Sequence, residues 1–311
     1  MSTRRKLHMR NIIKKVLKES RSRKEPSYAL VHHGCSRIQK TVVLCISVCM
    51  LLLVCRTAVA EAIGQQNEQQ KKVAVIIDDL GNNMKGTKEI LNLPVKITVA
   101  VMPFLPTTKQ DAMEAHKRGH DVIVHLPMEP KQGKPEWLGP GAIKANMTDE
   151  EVRTKVTAAI KDVPYAIGMN NHMGSKVTSD KRIMSVVLDV CKEHGLFFVD
   201  SRTNYWSVVP ELAAKKGMPP VRNDVFLDDV HTIAHVNQQL TKVVEWLAEH
   251  DTCVTIGHVG VSGMNTSSGL HSSVPKVKEH AQFVGISDLA RDVWGWTGDP
   301  VTNITMPSDA Q

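Results

Sequence analysis

From Lys71 onward, apolar and polar positions alternate in blocks. Short apolar runs rich in β-branched residues occur at Val73–Ile77, Ile97–Met102, Val122–Val124, Leu196–Val199 and Cys253–Ile256, with weaker ones near Ala166–Met169 and Val225–Leu227. Each is long enough for one buried strand and too short for a helix. The segments between them have helical spacing. Thr107–Gly119 is polar and helix-favouring and ends at a glycine. Thr148-Asp-Glu-Glu151 spells a capping box, and Val152, Val156, Ala159 and Ile160 follow on one helical face. Asp180 caps a helix with the stripe Ile183, Val187 and Cys191, stopped at Gly195. His231–His250 carries Ile233, Val236, Leu240, Val243, Val244 and Leu247 on one face, and Pro275–Ala281 and Ile286–Val293 complete the helical set. Strands alternating with helices predict βα units around a parallel sheet. Seven candidate strands in about 220 residues suit a closed or nearly closed barrel, with an open doubly wound sheet as the other architecture the pattern allows. No strand is followed by a Gly-rich dinucleotide fingerprint or a phosphate-binding loop.

Charge separates this block from what precedes it. Residues 1–40 hold twelve Lys or Arg against Glu19 and Glu25, a charge of +10, so the remainder carries −3 of the chain's +7. The basic pI therefore belongs to a leader and is no argument for nucleic-acid binding by the folded part. Residues 41–55 form an uncharged apolar run of signal-peptide length, short for a membrane span, and Ala58-Val-Ala60 then fits a small-residue cleavage site. An export signal over residues 1–60 is the expectation, placing the mature chain in the periplasm or outside the cell. An uncleaved membrane anchor is the alternative. A polar linker covers 61–70, a single large domain 71–296, and a Pro- and Ser-containing tail without periodicity 297–311. Four of six cysteines lie in the leader. Cys191 and Cys253 remain in core-like patterns and read as buried free thiols, not a disulfide framework.

The candidate chemistry sits at the ends of the apolar runs. The first ends in Asp78-Asp79-Leu-Gly81, the third in His125-Leu-Pro-Met-Glu129-Pro, and the weak Ala166 run in Asn170-Asn171-His172-Met-Gly-Ser175. Leu196–Val199 is followed by Asp200-Ser-Arg202-Thr203, Val225–Leu227 by Asp228-Asp229, and Cys253–Ile256 by Gly257-His258. Ligands bind at the carboxyl ends of strands in parallel α/β folds, so these residues are expected on one face. A lone His at a strand end is more often a structural hydrogen bonder, and Asp200 or Asp228 is as often a helix or turn cap. Three histidines and a carboxylate pair at one rim point further, to a borderline metal site with open positions.

Together, IIDDLG, HLPMEP, NNHMGS, VDSRT, FLDD and TIGH resemble the divergent polysaccharide deacetylases, relatives of the NodB-type carbohydrate esterases, over roughly Lys71 to Val293. The resemblance implies a distorted (β/α) barrel of about seven parallel strands and a metal-dependent hydrolase that removes acetyl groups from an N-acetylated cell-envelope polysaccharide. It implies Asp78 as general base, Asp79, His125 and His172 as ligands of a divalent metal (zinc by ligand type), and His258 as general acid. Glu129 stands where NodB-type enzymes carry a second histidine four residues after the first, which leaves the third ligand open. Asn170 or Asn171 would orient a histidine or bind sugar hydroxyls, and Asp200 with Arg202 would position His258. Tyr205 and Trp206 follow closely enough to stack on a sugar ring. The expected partner is a polysaccharide, with no nucleic acid and with membrane contact only through the N-terminal segment. The competing class is a catalytically weak or inactive glycan-binding or assembly protein on the same fold. A metal-dependent phosphoesterase would want more basic residues near the site.

Overall fold

The first apolar run becomes a central strand because it can bury both faces at once. In β1 (Lys72–Leu80), Val73, Val75 and Ile77 point outward into a layer of helices, while Ala74 and Ile76 point inward to a second, smaller cluster. Burying each such Ile or Val contributes about 1.5–3 kcal/mol. The structure, a computed structural model, describes residues 70–298. The leader, the linker up to residue 69 and the tail from residue 299 lie outside the described residues. Among the described residues no helix is long and apolar enough to cross a membrane.

After β1 come α1 (Thr87–Leu91), β2 (Thr98–Val101), α2 (Thr108–Lys117), β3 (Asp121–Met128), α3 (Asp149–Asp162), β4 (Ala166–Met173), α4 (Lys181–Glu193), β5 (Phe197–Asp200) and α5 (Val209–Lys215). They are followed by β6 (Val221–Arg222), β7 (Val225–Phe226), α6 (Ile233–Glu249), β8 (Thr252–His258), α7 (Gly263–Lys278), β9 (Gln282–Val284) and α8 (Ile286–Trp294). The strands run in the order β6-β5-β4-β3-β2-β1-β8-β7, with β9 also paired to the start of β1. Every pairing is parallel. The two ends of this curled sheet, β6 and β7, are separated in the chain only by Asn223 and Asp224. The Asn223 N–H donates to the Asp200 carbonyl of β5, next to one end, and the Asp224 N–H to the Val254 carbonyl of β8, next to the other. The barrel is thus closed except at one seam.

Inside it, Ala74, Ile76, Ala100, Ile123, Phe197, Val199, Val221, Val254 and Ile256 fill the axis. Helix α8 stops the lower mouth with Ile286, Leu289 and Ala290. It is held there by Ile286 N–H on Thr98 Oγ1 and Ser287 N–H on Asp121 Oδ2. The upper mouth, at the carboxyl ends of the strands, is left to polar residues.

Several expected elements take the expected form. Thr148 and Glu151 make the capping box of α3, whose buried residues are Val152, Val156, Ala159 and Ile160. Asp180 caps α4 through the N–H groups of Arg182 and Ile183, and Cys191 and Cys253 are buried free thiols. Of the α6 stripe, Ile233 is exposed at the helix start.

Other elements differ from the sequence expectation. Nine strands are described where seven were expected; β6 and β9 are too short to leave a pattern. The helix expected at Pro275–Ala281 begins much earlier: α7 takes in the Gly/Ser-rich stretch from Gly263, with Pro275 inside it. Small residues permit this because α7 packs closely. A Cβ on Gly263 would stand 2.0 Å from the Lys85 carbonyl oxygen, and one on Gly269 2.5 Å from Val236. A Gly263→Ala variant is expected to lose about 1–3 kcal/mol of stability, read as an earlier urea midpoint.

Candidate metal and catalytic site

Inward-pointing parity carries the chemistry up the barrel axis. Ile123 is followed two residues on by His125 along β3, Asn170 by His172 along β4, and Ile256 by His258 along β8. The Asn-Asn-His motif therefore lies on the strand itself and not beyond its end. On β1 the same parity points Asp78 inward, which would send Asp79 outward. The backbone prevents this: Asp79 has φ 71, and the β1–β2 register shifts between Ile77 and Leu80. That left-handed residue costs about 1–3 kcal/mol in a non-glycine, less for Asp than for most. It turns both carboxylates into one cleft.

Three donor atoms meet there. Asp79 Oδ1 lies 3.0 Å from His172 Nδ1 and 3.2 Å from His125 Nε2, and the two imidazole nitrogens are 3.2 Å apart. The remote nitrogen of each ring is already committed. His125 Nδ1–H donates to Asn170 Oδ1 at 2.7 Å, and His172 Nε2–H donates to the Trp137 carbonyl at 3.0 Å. Both facing nitrogens therefore present lone pairs, and Asp79 Oδ1 is buried without a hydrogen-bond partner. Three electron-pair donors converging on one point, each imidazole oriented through its far nitrogen, fit a single divalent ion with its remaining positions open. Burial works against ionisation of Asp79; when a proton and not an ion occupies the site, its hydrogen bond and charge on the facing imidazoles hold the Asp79 carboxyl well below the ordinary carboxylate range.

Asp78 sits beneath this cluster and is not a member of it. It is almost wholly buried, and burial pushes its carboxyl upward against the charges of His125 and His258. Asn170 Nδ2 donates to Asp78 Oδ1 at 2.9 Å, so one amide holds both Asp78 and the tautomer of His125. Across the β1–β8 ladder Asp78 is paired in register with His258, and the two side chains leave the sheet side by side. Asp228 accepts from His258 Nδ1 at 2.8 Å and from the His258 backbone N–H at 2.7 Å, and Thr266 Oγ1 of α7 donates to it at 2.6 Å. Burial opposes a charge on His258, but the bond to Asp228 and the carboxylates of Asp78 and Asp79 outweigh it and raise the imidazole to about 9. Among the described residues the ring's only hydrogen bond is through Nδ1, which leaves Nε2 without a partner.

The positioning partner of His258 is therefore Asp228, and not Asp200 with Arg202 as expected. Asp200 accepts from the Arg202 backbone N–H, and the Arg202 guanidinium donates to the Asn223 carbonyl. Both belong to the β5 turn. Glu129 is also outside the cluster. It pairs with Lys176 at 2.6 Å and accepts from the Ala145 N–H, stapling three rim segments together. Asn171 is buried, donating to the Met173 carbonyl and accepting from the Ser201 N–H, which leaves it no reach to a sugar. Tyr205 and Trp206 stand on the rim, 96% and 75% exposed. Tyr165 is stacked on His116 away from the cleft. Thr266 and the Trp137 carbonyl are the participants that residue patterns alone did not single out; Asp228 was expected at the rim but without a role.

A profile of the divergent polysaccharide deacetylase family matches residues 75–290. An uncharacterized protein of Haemophilus influenzae is 33% identical over 223 residues, spanning 72% of this chain and 78% of that protein. The uncharacterized protein YibQ of Escherichia coli is 34% identical over 187 residues, 60% of this chain and 58% of its own length, so the likeness spans little more than half of that relative. Among solved structures, the uncharacterized protein ATU2773 from Agrobacterium tumefaciens shares the fold with a TM-score of 0.65 at 20% identity, over 72% of this chain and 90% of that one.

Proposed function

Since the chain belongs to the divergent polysaccharide deacetylases, we propose that it is an exported, metal-dependent hydrolase that removes acetyl groups from an N-acetylated polysaccharide of the cell envelope. The observation that carries this reading is the Asp79–His125–His172 donor cluster flanked by a buried carboxylate, Asp78, and a carboxylate-paired imidazole, His258. A divalent ion held by the cluster, zinc by its donor set, would polarise the acyl carbonyl and acidify a water. Asp78, desolvated and held by Asn170, accepts the proton of the attacking water as oxygen adds to the carbonyl carbon. His258 then gives its Nε2 proton to the nitrogen as the C–N bond breaks, so that a free amine and acetate leave. Asp228 holds His258 in the donating orientation. Tyr205 and Trp206 offer exposed faces for sugar rings. The apolar run at 41–55 supports export.

The test is metal content together with acetate release from N-acetylated glycans by the purified protein. One ion per chain and metal-dependent release are expected. Binding of glycan and metal without release would instead leave a glycan-binding envelope protein.

The Asp228–His258 pair sets the pH profile. A general acid works while protonated, so activity falls as pH rises through its pKa. An ion on Asp79 offsets part of the nearby negative charge. The alkaline limb of the loaded enzyme is therefore expected between the ordinary imidazole value, about 6.5, and about 9. In Asp228→Asn the limb is expected to move down toward the ordinary value. A limb at the same pH in both proteins would remove His258 as the acid.

A further inference from the structure

The segment between β3 and α3 departs in charge from the rest of the domain. Residues 70–298 hold 26 basic and 26 acidic side chains, but residues 130–148 hold Lys131, Lys134 and Lys144 against Glu136 alone. None of the three lysines forms an ion pair among the described residues; Lys176, which reaches in from the β4 side, is neutralised by Glu129. The segment is also fixed relative to the cleft. The Trp137 carbonyl accepts from His172, a member of the donor cluster, and the Lys131 N–H donates to Ser175 Oγ at 2.9 Å. Gly141 lies flat on the Phe104 ring, where a Cβ would come within 2.5 Å of Cε2. On this anchored segment the Lys134 ammonium stands 5.6 Å from the centre of the Trp137 ring, and Trp137 remains 59% exposed.

An aromatic face with an unneutralised ammonium over it offers two complementary contacts. The ring stacks against the C–H face of a sugar, and the cation attracts an anionic substituent on that sugar. We propose that Trp137, Lys134 and Lys131 form a subsite for a carboxylate-bearing sugar unit adjacent to the N-acetylated unit in the cleft, so that the preferred glycan is an anionic one. This rests on the reading that the cleft handles a glycan, and it adds the charge class of that glycan. The carboxylate belongs either to a uronic acid or to an acidic ether substituent, since the subsite recognises the charge and the ring in both cases.

The test measures binding by tryptophan fluorescence and calorimetry with the purified protein. The ligands are a neutral N-acetylglucosamine tetramer and two tetramers in which that sugar alternates with a uronic acid or with a lactyl-ether sugar. At least one charged tetramer is expected to bind about three- to tenfold more tightly than the neutral one at low salt. The preference should shrink in 0.5 M salt, to be used because a Debye length of roughly 4 Å screens exposed pairs. It should disappear in Lys131→Ala/Lys134→Ala and in the milder Lys134→Gln, with affinity for the neutral tetramer unchanged; Trp137→Ala should weaken all three. The arm that shows the preference identifies the source of the carboxylate. Equal affinities in the unaltered protein, a preference that survives loss of both lysines, or no binding of any tetramer would overturn the proposal. Acetate release from neutral and charged ligands with equal KM would also overturn it while leaving the hydrolase reading intact. A lysine-dependent preference without acetate release would uphold it and overturn the hydrolase.

Discussion

A His172→Ala variant is expected to lose affinity for divalent metal by on the order of 10²-fold or more, because even the orienting partners of metal ligands are worth about 10–100-fold. The substitution takes away one of three donors and leaves Asp79 Oδ1 and His125 Nε2, too few to hold an ion against water. His172 is the informative choice because its side chain is 17% exposed while that of His125 is 2% exposed. Truncating His125 would also open a cavity and orphan Asn170, mixing folding with binding. The only group His172 leaves unpaired is the Trp137 carbonyl, which water can reach at the rim. Metal content after dialysis and competition against a chelator would read the loss, with a circular-dichroism melt as the control. Unaltered metal affinity in a folded variant would remove the cluster as the metal site.

The second large effect is expected at Asp78. Asp78→Asn keeps shape and can still accept from Asn170, yet it cannot take a proton. Turnover is expected to fall by about 10²–10⁴-fold, the usual contribution of a general base, with metal content preserved. The same change should raise the melting temperature of the metal-free protein at neutral pH. Burial raises the Asp78 carboxyl in the folded state, so its ionised form destabilises the fold in full above that raised value; the penalty fades as pH falls from there and is gone below the unfolded value, about 3.9. A variant that is inactive but more stable separates a catalytic carboxylate from a structural one. A variant that is both inactive and less stable would mean that Asp78 supports the fold.

Legibility in the sequence followed how local the cause was. β1 could be read because Val73–Ile77 is an uninterrupted apolar and mostly β-branched run, and α3 because its capping box lies within four residues. α7 could not: its glycines and serines have poor helix propensity, and they are helical only because α6 and Lys85 stand close enough to exclude larger side chains. The rim histidines were legible because in a parallel sheet strand ends gather by topology alone. The partner of His258 was not. Asp200 and Asp228 both follow an apolar run, and the difference between them is parity. Phe197 and Val199 face the axis, so Asp200 turns away; Phe226 faces it, so Asp228, two residues on, returns to it. Parity is a sequence property, but which parity faces the axis is decided by the closed sheet. The positive φ at Asp79 was hidden for a related reason, since only the β1–β2 register shows that the strand breaks there.

The seam has a mechanical consequence. Asn223 is hydrogen-bonded to β5 and Asp224 to β8, so across the seam the circumference is completed by a single peptide link and not by a ladder. Hoop tension at that point falls on a covalent bond, which does not yield by unzipping. The strands bearing the donors and the acid, β8-β1-β2-β3-β4, form an uninterrupted arc on the opposite side. The ring is therefore a mount of fixed gauge, and adaptation to a bulky chain falls to the rim segments above it.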